Sequence, residues 1–347
     1  MDKAEHFFEV VKKTSIKAIT QNNVEQYYNI AGFKIKLVFA GTRLIPYITP
    51  ALEHLRCKAT KEYDLTIYLW DTASTKITMP ANDWSSDDYL EHGLIRGYNT
   101  ENISTTFNLG SGTFNMYNSK ENIALFWIRD ATQLPYYETG APLRDIFSWW
   151  ATKHGLQYAH AAAVGTKDGA VLLVGKGGSG KSTSALSCLT HSDLFYIGDD
   201  YVLISNGPTP YVYSLYNSAK LNADHAINFP NLLKHASNLE RLETEKALLF
   251  IREFYQEKII AGLPLRAIIL PKVTCLRSSS WTSASPSLAL RALAPSSMFQ
   301  LPGSTQSTFS YFSQLVRILP AYTLHAGTSF NEIPTTIVSI LKDHHEE

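Results

Sequence analysis

The hydrophobic pattern changes character partway along the chain. In the first third, apolar residues fall in short runs and alternations that suit strands. Phe33–Phe39 alternates apolar and polar side chains at first, as a half-buried strand does. Tyr63–Trp70 and Ile123–Ile128 are further strand candidates, and their aromatics read as ordinary strand formers rather than as a platform for stacked bases. Pro142–Lys153 then reads as a helix with proline in its first turn and Gly155 placed to end it. The change of pattern near residues 136–145 predicts a strand-rich α+β domain over residues 1–140 and a second, α/β domain over 141–347.

In the second domain, Leu156–Val164 and Ala170–Val174 are apolar runs joined by a glycine-containing loop, the pattern of a β-hairpin. Pairing Val164 with Ala170 would set His160 opposite Val174. Leu194–Ile197 reads as a short strand ending in Gly198-Asp199-Asp200. It should return beside the strand Ala170–Val174, because sequential elements tend to be neighbours. Leu232–Phe254 reads as largely helical, Ala267–Leu270 as a strand stopped by Pro271, and residues 278–287 as a polar loop. A capping box from Ser329 to Glu332 starts the final helix, with Pro334 leaving its first residue open.

One segment carries chemistry. Residues 175–182 read Gly-Lys-Gly-Gly-Ser-Gly-Lys-Ser, between an apolar run and a helix-compatible stretch. A strand, a glycine loop and a helix in that order form the context of a phosphate loop. Gly175, Gly177, Gly178 and Gly180, with Ser179, can let the backbone turn its N–H groups inward, and the following helix adds positive potential. Lys181 can then reach the β- and γ-phosphates of a nucleoside triphosphate, and Ser182 can ligate Mg2+. Asp199 lies 18 positions after Lys181, room for a helix, a turn and a returning strand. A carboxylate there can hold magnesium, and a second can take the proton of an attacking hydroxyl. Adjacent residues of an extended chain point to opposite faces, so Asp199 and Asp200 should divide these roles, Asp199 as base and Asp200 as metal partner. The simpler reading of His160, a lone histidine in an apolar strand, is a satisfied core residue; in the hairpin register it would instead stand beside the loop as a proton relay or phosphate contact. Lys220 and Arg266 are candidates to neutralise transferred phosphate, or plain surface charges.

Composition narrows the classes. The formal net charge is zero, which argues against a broad grip on nucleic acid. The three cysteines, Cys57, Cys188 and Cys275, show no metal-ligand spacing and no disulfide framework, and Cys188 is a small packing residue. No secretory signal and no apolar run of membrane-spanning length is seen, so the expectation is a soluble cytoplasmic protein with no membrane partner.

The order Tyr158–Val164, Gly175–Ser182, Gly198-Asp199-Asp200 resembles the catalytic core of the HPr kinase/phosphorylase family, over roughly residues 156–204. The resemblance implies a P-loop kinase domain like that of ATP-dependent phosphoenolpyruvate carboxykinases, with ATP and Mg2+ as cofactors. It implies Lys181 and Ser182 on phosphate and metal, the Asp pair as base and metal contact, and His160 as an assisting group. A homo-oligomer is a further implication. Thr183, which closes the loop segment, stands where those kinases usually carry glutamate, and their arginine-rich later signature is missing apart from a faint match at Leu263–Arg266. The chain is therefore more similar to divergent relatives found with peptide natural-product pathways, some of which phosphorylate a serine of a lasso-peptide precursor. The expectation is a kinase for a hydroxyl of a peptide or small protein. A small-metabolite kinase and a regulatory P-loop ATPase stay open as alternatives.

Overall fold

The computed structural model of the chain describes residues 2–20, 22–222, 228–300, 302 and 306–343. The chain divides into two units at His154/Gly155. The helix over Arg144–Lys153 therefore groups with the first unit, whereas the sequence boundary at 140/141 placed it with the second. No described helix is long and apolar enough to cross a membrane.

The first unit is built on one mixed sheet of six strands. These are β1 (Asn23–Ile30), β2 (Phe33–Ala40), β3 (Leu65–Asp71), β4 (Ile103–Asn108), β5 (Thr113–Asn118) and β6 (Ile123–Ile128), in the order β1-β2-β3-β6-β5-β4. Helix α1 (Lys3–Ile19) opens with a capping box formed by Asp2 and Glu5. Its buried Phe7, Phe8 and Val11 join Trp70, Phe114, Met116 and Leu125 in one core. Helix α2 (Arg144–Lys153) starts two residues after Pro142 rather than through it: Leu143, at φ 58°, makes the turn into the helix. Gly155, at φ 72°, follows the helix end as its left-handed geometry requires.

The second unit holds β7 (Leu156–Ala159), β8 (Ala162–Thr166), β9 (Gly169–Leu173), β10 (Phe195–Gly198), β11 (Val202–Ser205), β12 (Tyr211–Ser214), β15 (Gly262–Val273), β16 (Ser280–Ala284) and β17 (Ala321–Ala326) in one sheet. The path runs β10-β8-β9-β15-β12-β11-β7, with β17 paired to β15 and β16 to β17. A small sheet of β13 (Ser218–Leu221) and β14 (Ala247–Phe250) lies apart from it. The large sheet is covered on both faces. Val171 and Leu173 of β9 point into one core with α3 (Lys181–Ser187) and α6 (Glu332–Asp343); Ala170, Leu172 and Val174 point into the other with α4 (Pro286–Met298) and α5 (Gln306–Ile318). Both β9–β15 and β15–β17 pair in parallel. The unbroken apolar run of β9 is what a strand buried on both faces needs.

Several expectations change here. The β8–β9 hairpin pairs Val164 with Val171, because Thr166 meets Gly169 across a turn of only two residues. The run Leu156–Val164 breaks at His160-Ala161, and its first half, β7, pairs with β11 elsewhere in the sheet. His160 thus lies outside the hairpin. Strand β10 pairs with β8, not β9, since the hairpin takes the position next to β9. Leu232–Phe254 is mostly not helical: Ala247–Phe250 is a fully buried strand paired to β13. Part of the 278–287 loop is β16, the antiparallel neighbour of β17. The last helix begins at Glu332, whose Oε2 accepts the Ser279 N–H at 3.0 Å.

Pro271 lies inside β15 instead of ending it, for a geometric reason. Ile268 donates its N–H to Pro320 on the β17 side, and the Ile269 carbonyl accepts from Val174 on the β9 side. Alternation puts residue 271 on the β9 side again, just past the end of β9. The N–H that proline lacks has no strand to meet there.

Gly165 tests the hairpin packing. A Cβ there would lie 2.4 Å from the Gly169 carbonyl oxygen and 2.7 Å from the Ala170 Cα. Gly165→Ala should destabilise the protein by about 1–3 kcal/mol, the usual cost of forcing volume into a packed site. Urea unfolding at constant m-value checks this; an unchanged midpoint would show that the hairpin does not press on Gly165.

Candidate active site

Strand β9 ends at Leu173, and the chain turns through residues 175–180 into α3. Gly175, Gly178 and Gly180 hold φ values of 150°, 76° and 102°, which favour glycine strongly. Space matters as well. A Cβ on Gly175 would meet Ser179 Oγ at 2.7 Å, and one on Gly180 would meet Val273 Cγ2 at 3.3 Å. The buried Ser179 hydroxyl has no hydrogen-bond partner among the described residues. Lys181, first residue of α3 and 7% exposed, folds back over the loop, its Nζ donating to the Gly175 carbonyl at 2.7 Å and to the Lys176 carbonyl at 3.3 Å. Burial pushes its ammonium pKa down, and the nearby Asp199 and Asp200 charges work against that.

Strand β10 delivers the acidic pair. Asp199 is fully buried. Its Oδ1 accepts the Ser182 hydroxyl at 3.0 Å, and its Oδ2 faces the Lys220 backbone N–H at 3.5 Å. The chain then reverses tightly. Asp200 takes φ 63°, and Tyr201 donates its N–H to the Asp199 carbonyl at 2.7 Å. Aspartate tolerates this left-handed conformation better than most residues. The turn sends the two carboxyl groups to different partners. Asp200 Oδ2 lies 2.9 Å from Lys220 Nζ, and its Oδ1 lies 3.8 Å from His160 Nε2, too long for a hydrogen bond.

The two carboxyl groups are driven apart in acidity. Burial, and then the Asp200 charge, push Asp199 up to about 6, against the Ser182 hydrogen bond. Burial also opposes ionisation of Asp200, but the Lys220 ammonium and His160 outweigh it and hold that carboxyl well below the usual carboxylate range. Such splitting of a carboxylate pair is a mark of sites that do acid–base work.

His160 reaches this cluster from the kink between β7 and β8. Its backbone N–H donates to Ser297 Oγ at 3.0 Å, and its ring leans on Tyr201 with centroids 5.3 Å apart. Its Nδ1 is buried without a hydrogen-bond partner among the described residues. Thr183 stands half-buried in the first turn of α3. Lys220 comes from β13. Arg266 is not brought here. It is exposed on β15 and donates from Nε to the Asp168 carbonyl at 3.2 Å, at the end of β9 away from the loop. That is about 13–17 Å along the strand from Gly175.

Three nearby residues carried no sequence signal. Ser297 meets His160 from α4 across 137 positions. Tyr201 packs on the histidine, and Lys246 lies near enough to Lys181 to help lower its pKa. Each is a common residue type with no motif around it. A cavity of about 440 Å³ in this unit is not at this site; Thr166–Asp168 and Lys342 line it at the opposite end of β9.

The acidity of Asp199 makes a stability prediction. Its folded pKa of about 6 lies above the ordinary 3.8, so the proton it holds favours the fold at low pH, and that contribution is lost as pH rises through about 6. Without nucleotide and magnesium, Asp199→Asn should therefore raise Tm by a few degrees at pH 7.5 and change it little at pH 4.5. Thermal unfolding at the two pH values measures the difference. A gain independent of pH would show that Asp199 carries no such penalty.

No protein-family model and no curated protein matches the chain. Among solved structures it is similar to the Hpr(Ser) kinase/phosphatase from Coxiella burnetii, at 9% identity and a TM-score of 0.31, over 55% of this chain and 97% of that one. At that score the likeness carries no argument about what the chain does.

Proposed function

We propose that this chain is an ATP- and Mg2+-dependent kinase that transfers the γ-phosphate to a hydroxyl, serine foremost, of a peptide or small protein. One observation carries the reading: Ser182, the last residue of the glycine-loop motif, donates its hydroxyl to the first of the paired aspartates at 3.0 Å. Two segments 17 positions apart thus meet as one hydroxyl–carboxylate pair at the mouth of the loop.

The residues present fit the groups the motif implies. The orphaned Ser179 hydroxyl and the side-chain-free Gly175 leave a cradle suited to phosphate oxygens. Ser182 Oγ and Asp199 offer oxygen donors of the kind magnesium takes, and no cluster of three or more His, Cys, Asp or Glu suited to a metal occurs among the described residues. Magnesium commonly binds through one or two protein oxygens, with phosphates and waters completing its shell. When bound, it supplies positive charge against the negative charge of the phosphates.

In this reading Lys181 leaves the Gly175 carbonyl for the β- and γ-phosphate oxygens. Asp200 orients the acceptor hydroxyl and takes its proton as the new P–O bond forms and the bond to the β-phosphate breaks. A strongly acidic aspartate suits a loose phosphoryl transfer, where the proton leaves late and positioning dominates. Lys220 and His160 hold Asp200 in place. The Ser182 contact favours Asp199 as the metal partner, the reverse of the split expected from the sequence. Precursor peptides of the lasso class are the acceptors that the sequence resemblance nominates.

Lys181→Ala should weaken Mg–ATP binding and reduce transfer to background, because the lysine charge acts on both bound and transition-state phosphate. Near-normal turnover in the folded variant would remove the glycine loop from the reaction. Asp200→Asn should keep nucleotide affinity and lose about 10²–10⁴-fold in turnover, the usual range for a lost general base. Labelled ATP, magnesium and candidate peptides, followed by mass spectrometry, locate the phosphate. Label found only on a free metabolite, or only as inorganic phosphate, would point to a metabolite kinase or an ATPase instead.

A further inference from the structure

Beside the second half of α3 lies a cavity of about 360 Å³. Its walls include Ser187 from α3, Phe229 ahead of the short helical turn Pro230–Leu233, Tyr255, and Phe330 and Asn331 at the approach to α6. The Phe229 and Phe330 rings stand 5.5 Å apart, tilted by 38°. Among the described residues, no Asp, Glu, Lys or Arg lines the space. Aromatic walls rimmed by side-chain amides suit a flat, uncharged heterocycle, which can stack on the rings and hydrogen-bond along its edge.

The position of the cavity is set by the sheet. β9, β15 and β17 run parallel, so their C-terminal ends share one edge. The glycine loop leaves β9 at that edge, and Ser329–Asn331 follow β17 at the same edge, two strand spacings, or about 10 Å, away. Thr183 and Ser187 stand four residues apart on α3, hence on one face. That face leads from the loop to the cavity wall.

We infer that this cavity receives the adenine of ATP, with Phe229, Tyr255 and Phe330 as stacking walls and Asn331 reading the base edge. The inference rests on the proposed kinase reading, and its test separates the two. Thr190, exposed at the rim, allows Thr190→Trp to fill the cavity without cutting into the core; Asn331→Ala removes the amide alone. Binding of Mg–ATP and of magnesium with inorganic tripolyphosphate, which has no base, is measured by calorimetry for each variant, with thermal unfolding as the check on folding. Base–aromatic stacking contributes about 1–3 kcal/mol, so Thr190→Trp should weaken ATP binding about 5- to 100-fold and leave tripolyphosphate binding within about twofold. Asn331→Ala should weaken ATP binding about threefold or more, again with tripolyphosphate unchanged. ATP binding that survives both substitutions, or wild-type protein that binds ATP no better than tripolyphosphate, overturns the base pocket and leaves the phosphate loop standing. Lys181→Ala binding both ligands as wild type does would overturn the phosphate reading, and the pocket with it.

Discussion

The parallel pairing of β9, β15 and β17 is the constraint on which the second unit depends. Ile268 sits at its centre, paired with Leu172 on one side and Ala321 on the other. Because the three strands share a direction, whatever follows each of them emerges along one edge. The glycine loop, the exposed Val273 at the end of β15 and the approach to α6 all lie there as a result. Helix layers on both faces bury the parallel sheet, which fixes its register through the alternation of its side chains.

The site set on that edge holds charge where charge is costly. Two carboxyl groups and two ammonium groups share a small, mostly buried volume. Pairing offsets part of the desolvation of Asp200 and Lys220, while Asp199 has hydrogen-bond donors and the more distant Lys181 charge to offset its own. Lys181 takes two carbonyl oxygens as partners, and both belong to the loop it covers. Such an arrangement contributes little to stability, but it holds donors and acceptors in set positions, so less ordering is left for a reaction to require.

The parts of the site written in local chemistry were legible in the sequence. Glycines at fixed offsets and two adjacent aspartates at a strand end announce themselves because backbone geometry and charge are properties of a few neighbouring residues. His160 was expected beside the loop through a hairpin register that does not exist; the kink after β7 and the reversal at Asp200 set it against Asp200 instead. Of the two readings left open for Arg266, its exposed place on β15 fits the surface charge, and nothing local says where along a twelve-residue strand it would fall relative to the loop. Ser297 and Tyr201 could not be read at all, since their contacts with His160 depend on how distant elements pack. Leu232–Phe254 looked helical for the same reason: the partner of β14 is β13, which lies outside that segment, before it in the chain.

Pro271 in β15 also bears on how the chain finds this sheet. A nascent β15 could slide along β9 before locking, and a two-residue slip would keep its apolar faces correctly turned. If the slip carried the proline alongside β9, its missing donor would leave a β9 carbonyl unanswered inside the sheet. One imino acid thus disfavours that slipped register, at a place where the finished structure feels no loss from it.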